Sequence, residues 1–103
     1  MKNVKQGESY SYAIYLPNVT DLTGYTCTVQ LRDKQGALID QLNPTAIANA
    51  QHGEVFPVQL RSSVSSNLTV GEVYALGAEV NNASTDFSKE VCRDIKITEQ
   101  CVY

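Results

Sequence analysis

Few residues of this sequence have the chemistry for catalysis or metal binding. It holds one histidine, His52, three cysteines and no tryptophan. His52 precedes Gly53 and lies two positions before Glu54, so a general base oriented by that carboxylate is the catalytic arrangement to weigh. No Gly-x-Ser-x-Gly elbow accompanies it, and a solvated turn is the simpler role for His52. The cysteines Cys27, Cys92 and Cys101 are widely spaced and lack the Cys-x-x-Cys pairing of a zinc site. Asp33, Asp40, Asp86 and Asp94 are scattered. The oxygen-rich run Asn81-Asn82-Ala83-Ser84-Thr85-Asp86 lacks the ligand alternation of a calcium loop and reads as a turn. The sequence therefore predicts a protein that is not an enzyme, with no catalytic, cofactor-binding or metal residues.

The six tyrosines offer a different chemistry, since each has an apolar body and a polar tip suited to interfaces. Tyr10, Tyr12 and Tyr74 are expected to point inward or to be half-buried. Tyr15 falls on the row opposite Tyr10 and Tyr12, and Tyr103 lies at the end of the sequence. These two, with Lys2 and Lys5 near the start, are the expected partner-contact residues.

Strands must position these groups, because alternation with a period of two dominates the chain. Tyr10, Tyr12, Ile14 and Leu16 form one apolar row within a strand over Glu8 to Leu16, which ends at Pro17. Cys27, Val29 and Leu31 form the next, over Tyr25 to Arg32. Asp33-Lys34-Gln35-Gly36 reads as a hairpin loop, with Ala37 to Leu42 as the returning strand. Thr45 to His52 is expected to be a helical turn or a crossover loop. Glu54 to Leu60 is a strand containing Pro57, hence at a sheet edge or bulged. Arg61 to Asn67 is a polar connection with room for a short 3₁₀ turn. Tyr74 to Val80 is apolar or small on both rows and reads as the best-buried strand. In the last strand, Lys89 to Thr98, Val91, Arg93, Ile95 and Ile97 share a face. Strands at this spacing predict an all-β fold, an immunoglobulin-like antiparallel β-sandwich of six or seven strands. It forms one domain over residues 1–103, with residues 1–7 as a flexible N-terminal arm and 99–103 as a C-terminal tail.

Composition narrows the partners. A chain of 103 residues with 43% hydrophobic residues is long enough for one core. Eleven acidic against eight basic residues give a net charge of -3, and the cations are dispersed. Nucleic acid is thus not the expected partner. No stretch reaches the length of a membrane span, and the N-terminus lacks the apolar core of a signal peptide. The odd, widely spaced cysteines agree with folding in a reducing cytosol.

The order of local motifs also carries a resemblance. Lys5-Gln6-Gly7-Glu8-Ser9-Tyr10 opens onto an alternating strand. Asp21-Leu22-Thr23-Gly24-Tyr25-Thr26 and Val29-Gln30-Leu31-Arg32-Asp33 follow, then Leu68-Thr69-Val70-Gly71-Glu72-Val73-Tyr74. Across nearly its whole length the chain resembles small β-sandwich proteins of tailed-bacteriophage virions, among them the N-terminal domain family of baseplate upper proteins. The resemblance implies a structural role in the virion, assembled in the host cytoplasm, with other virion proteins as partners and many copies per particle. It brings no catalytic residues. Baseplate proteins continue into a fibre-bearing part, whereas this sequence ends at Tyr103. An accessory capsid decoration or cement subunit is therefore expected first, and a baseplate, neck or tail component second. A carbohydrate-binding or adhesive module is the expectation from another class, though the sequence has no tryptophan to stack on a sugar.

Overall fold

The computed structural model describes residues 1–17, 19, 21–47 and 53–101. They form seven strands and one helical turn: β1 (Lys2–Lys5), β2 (Tyr10–Tyr15), β3 (Tyr25–Asp33), β4 (Leu38–Leu42), β5 (Glu54–Leu60), α1 (Ser62–Ser65), β6 (Val73–Asn82) and β7 (Phe87–Thr98). The fold is all-β, with 56% strand and 4% helix among the described residues. A five-stranded sheet has the order β1-β7-β6-β3-β4, and a two-stranded sheet pairs β2 with β5.

Alternating rows build the core between the two sheets. Cys27, Val29 and Leu31 of β3, Leu76, Ala78 and Val80 of β6, and Ile95 and Ile97 of β7 face Ile14 of β2 and Phe56, Val58 and Leu60 of β5. Removing each of the larger side chains from water contributes about 1.5–3 kcal/mol. Tyr74 joins this core, as expected, with its hydroxyl accepting the Thr69 N–H at 2.9 Å. The β3–β4 hairpin also forms where the sequence placed it. The Asp33 carboxylate accepts the Gln35 and Ala37 N–H groups, and Gly36 takes φ 86°, which a side chain would resist.

Two expectations are corrected. Residues 1–7 are not a free arm: Lys2–Lys5 is a strand, and Val4 is 2% exposed. It pairs in parallel with β7, Lys2 opposite Ile95 and Lys5 opposite Thr98, so the sheet is mixed rather than purely antiparallel. Side-chain bonds hold the segment that follows. Gln6 Nε2 donates to the Leu68 carbonyl at 2.7 Å, and the fully buried Ser65 hydroxyl donates to the Glu8 carbonyl at 2.6 Å. Four residues with one apolar side chain show no period to read, and the pairing partner lies at the far end of the chain. The second correction is at Arg61 to Asn67, where the turn is one α-helical turn rather than 3₁₀. Of the tail, residues 99–101 carry no strand, and Val102 and Tyr103 lie outside the described residues.

Candidate interface along the edge of β2

The upper sheet has only two strands and the lower has five. β2 stacks over β7, near the lower sheet's β1 margin, as its contacts with Lys89 and Arg93 record. There the inward row of β7 changes character. Ile95 and Ile97 are buried, Val91 is half-buried, and Arg93 and Lys89 reach out from under β2. Long cationic side chains can cover apolar surface with their stems and keep their heads in water.

Both heads meet β2. The Arg93 guanidinium lies 4.3 Å from the centre of the Tyr12 ring, and its Nη1 donates to the Tyr10 hydroxyl at 2.8 Å. Lys89 Nζ donates to the main-chain carbonyl of Tyr15 at 2.9 Å. Lys2, across the β1–β7 ladder, puts its Nζ 5.9 Å from the centre of the Tyr10 ring. Tyr10 and Tyr12 are themselves in contact, with ring centres 6.1 Å apart. Cations over aromatic faces are held by the ring quadrupole, typically by about 0.5–2 kcal/mol.

The result is a strip of alternating cations and tyrosines along the strand, about 17 Å long at the usual rise per residue. Among the described residues Lys2, Lys89 and Arg93 have no carboxylate within ion-pair distance. The two ion pairs there, Lys34–Glu72 at 2.8 Å and Arg61–Asp40 at 2.9 Å, lie elsewhere. Three cations are thus spent on rings and a carbonyl in a chain where acids outnumber bases. Two acids border the strip. Glu54 accepts the Tyr15 hydroxyl at 3.1 Å, and Asp94 lines a shallow hollow with Met1, Lys2 and Arg93.

Local fields tune the tyrosines. Burial pushes the Tyr12 hydroxyl up to about 12 against the opposing pull of Arg93, and this hydroxyl donates to the Leu76 carbonyl at 2.6 Å. The bond to Glu54 raises Tyr15. Both stay neutral donors at physiological pH.

Of the expected contact residues, Lys2 and Tyr15 mark the two ends of this strip, and Tyr15 is 49% exposed. Lys5 is not part of it. Alternation along β1 sends Lys5 to the face opposite Lys2 and Val4, and its Nζ donates to Cys101 Sγ at 3.0 Å, which raises its pKa. Tyr103 and His52 lie outside the described residues. Arg93, Lys89, Tyr10 and Tyr12 escaped the sequence reading as contact residues. The available signal was Arg93 itself, a cation in an otherwise apolar row. No group of three or more His, Cys, Asp or Glu side chains is placed to hold a metal ion among the described residues. No helix among them is long and apolar enough to cross a membrane.

A hollow of about 270 Å³ lies on the outer face of the five-stranded sheet over Gly77 and Ala75, with Cys92 at its side. Glu79 and Glu90 border it directly opposite one another across β6 and β7. Burial and the nearby Asp94 and Glu90 carboxylates raise the Cys92 thiol, so it is a poor nucleophile. Burial pushes Cys27 further, from 9.0 to about 11. The folded state therefore holds that proton more tightly than the unfolded chain. Its contribution to stability is full below about pH 9 and lost as the pH rises through 11. A disulfide-exchange reagent at neutral pH should consume Cys101 first and Cys92 more slowly, and Cys27 only after denaturation. Modification of Cys27 in the native protein at the rate of the other two would contradict this packing.

No known family model matches the chain, and no curated protein matches it either.

Proposed function

We propose that this protein is a non-enzymatic structural subunit of a bacteriophage virion, an accessory capsid decoration or cement protein that docks by surface complementarity. The observation that carries the proposal is the strip of cations and tyrosines along the outer edge of β2, whose cations meet no carboxylate among the described residues. Arg and Tyr are the residue types that most often dominate interface energetics. The motif order from Lys5 to Tyr74 adds the resemblance to small virion proteins.

The same reading takes the fold as immunoglobulin-like. In chain order β2, β3, β4, β5, β6 and β7 follow the B, C, C′, E, F and G strands of that fold. The C′-C-F-G order of one sheet and the B–E pairing of the other support it. Docking by one strip of this size is weak in a single copy. A symmetric particle offers the same site many times, and linked contacts multiply.

The test is to add purified protein to phage particles assembled without it and to sediment the mixture. Saturable co-sedimentation with capsids is expected, reduced at least tenfold in apparent affinity by the pair Lys89→Glu and Arg93→Glu. Co-sedimentation with tails or baseplates instead would move the subunit to a junction role. A glycan-array signal from the isolated protein, with no binding to any virion part, would overturn the structural assignment.

A further inference from the structure

We infer that the partner element docking on this flank is an extended acidic segment of another protein, added as a strand to the free edge of β2. The inference rests on the docking role above and names the chemistry of its partner.

Four strands, β1, β4, β2 and β5, end the two sheets, and their outer edges are not equivalent; that of β5 already accepts the Ile47 N–H at the Val55 carbonyl. The β1 edge carries Lys2 and Lys5, and the β5 edge carries Pro57, which has no N–H to offer. The β4 edge is irregular between Leu31 and Arg32 of its partner, and Asp40 is held inward by Arg61. Bulges and inward charges both discourage pairing. β2 (YSYAIY) has neither proline nor charge of its own, and its six residues run opposite β5 with a single irregularity at the Tyr15 end. Its edge is guarded from outside, by Lys89 of β7 on the Tyr15 carbonyl.

That guard is removable, which selects the partner's charge. A carboxylate beside Lys89 Nζ would exchange a neutral acceptor for an ionised one, and such charge-assisted bonds are roughly twice as strong. The freed Tyr15 carbonyl could then accept a main-chain N–H from the incoming strand. Lys89 and Arg93 both belong to the inward row of β7 and touch opposite ends of β2. Side chains of an added strand reach that row at every second position. Acidic residues alternating with small polar or apolar ones therefore fit best. Nucleic acid fits less well. It has no peptide groups to extend the ladder.

The experiment is a titration of the isotope-labelled protein with a capped peptide of alternating threonine and glutamate, followed by amide NMR and hydrogen exchange. Expected are shifts and slowed exchange confined to residues 10–15 and their β7 neighbours, with none along β4. Arg93→Gln and Lys89→Gln should each weaken binding about tenfold, the size of one charge-assisted contact. The exposed Lys2→Gln should weaken it by a smaller factor. This variant keeps the test valid if Arg93→Gln does not fold. A threonine–lysine peptide should not bind. Unmoved β2 amides, equal affinity of the glutamine variants, or tighter binding of oligothymidylate than of the acidic peptide would each overturn the inference. If co-sedimentation with particles persists while β2 stays silent to the peptide, the strand-addition inference falls and the virion role stands. If the peptide binds as described and no particle does, the virion role falls instead.

Discussion

Val4→Asp should destabilise the protein by about 3–5 kcal/mol, while Asn3→Asp next to it should change stability by less than about 0.5 kcal/mol. Val4 is 2% exposed on the strand that completes the five-stranded sheet, opposite Ile97 and within the main core cluster. An aspartate there would be desolvated within the apolar core cluster. Desolvation raises its folded pKa above the unfolded value near 3.9. The deficit is then smallest below about pH 3.9, grows as the pH rises, and is greatest above the raised folded pKa. Urea titrations of both variants at neutral and mildly acidic pH check each part. Equal, small effects at positions 3 and 4 would mean that residues 1–7 are after all a free arm.

Phe56→Ala should cost about 3–5 kcal/mol, a large share of the roughly 5–15 kcal/mol by which a domain is stable. Phe56 is the largest of the fully buried side chains and sits in register with Ile14 on the two-stranded sheet. That layer has few strands to close around a void, so little of the space can collapse. Phe56→Leu should recover much of the loss. The midpoint of urea unfolding measures both. A cost below about 1 kcal/mol for the alanine variant would show that Phe56 does not span the gap between the sheets.

The same residues show how far the sequence could be read. Where a strand buries one face only, its apolar row marks both the strand and its inward side. Glu54–Leu60 and Tyr25–Asp33 were legible to within a residue for that reason. The Asp33–Gly36 turn was legible from local hydrogen-bonding chemistry. β1 was not, because its membership in the sheet comes from β7 and from the Gln6 and Ser65 bonds rather than from its own residues. The interface strip was half legible. Lys2 and Tyr15 were identified by type and exposure, but Lys89 and Arg93 become contact residues only because β2 lies over β7. Which strand of one layer covers which strand of the other is set by the whole chain, and no local period encodes it. Tyr10 and Tyr12 were read as inward or half-buried, and they are half-buried. Their second role, holding Arg93, depends on that same stacking.

The parallel ladder between the first and last strands also sets a schedule. Its partners sit at opposite ends of the described chain, so it closes the longest loop in the fold, and that entropy must be met before the ladder returns any contact. The hairpins β3–β4 and β6–β7 can form from neighbouring segments well before then. β1 is thus placed to zip on late. Weakening it should leave the refolding rate nearly unchanged and speed unfolding, so this short strand acts as the latch on the molecule's lifetime.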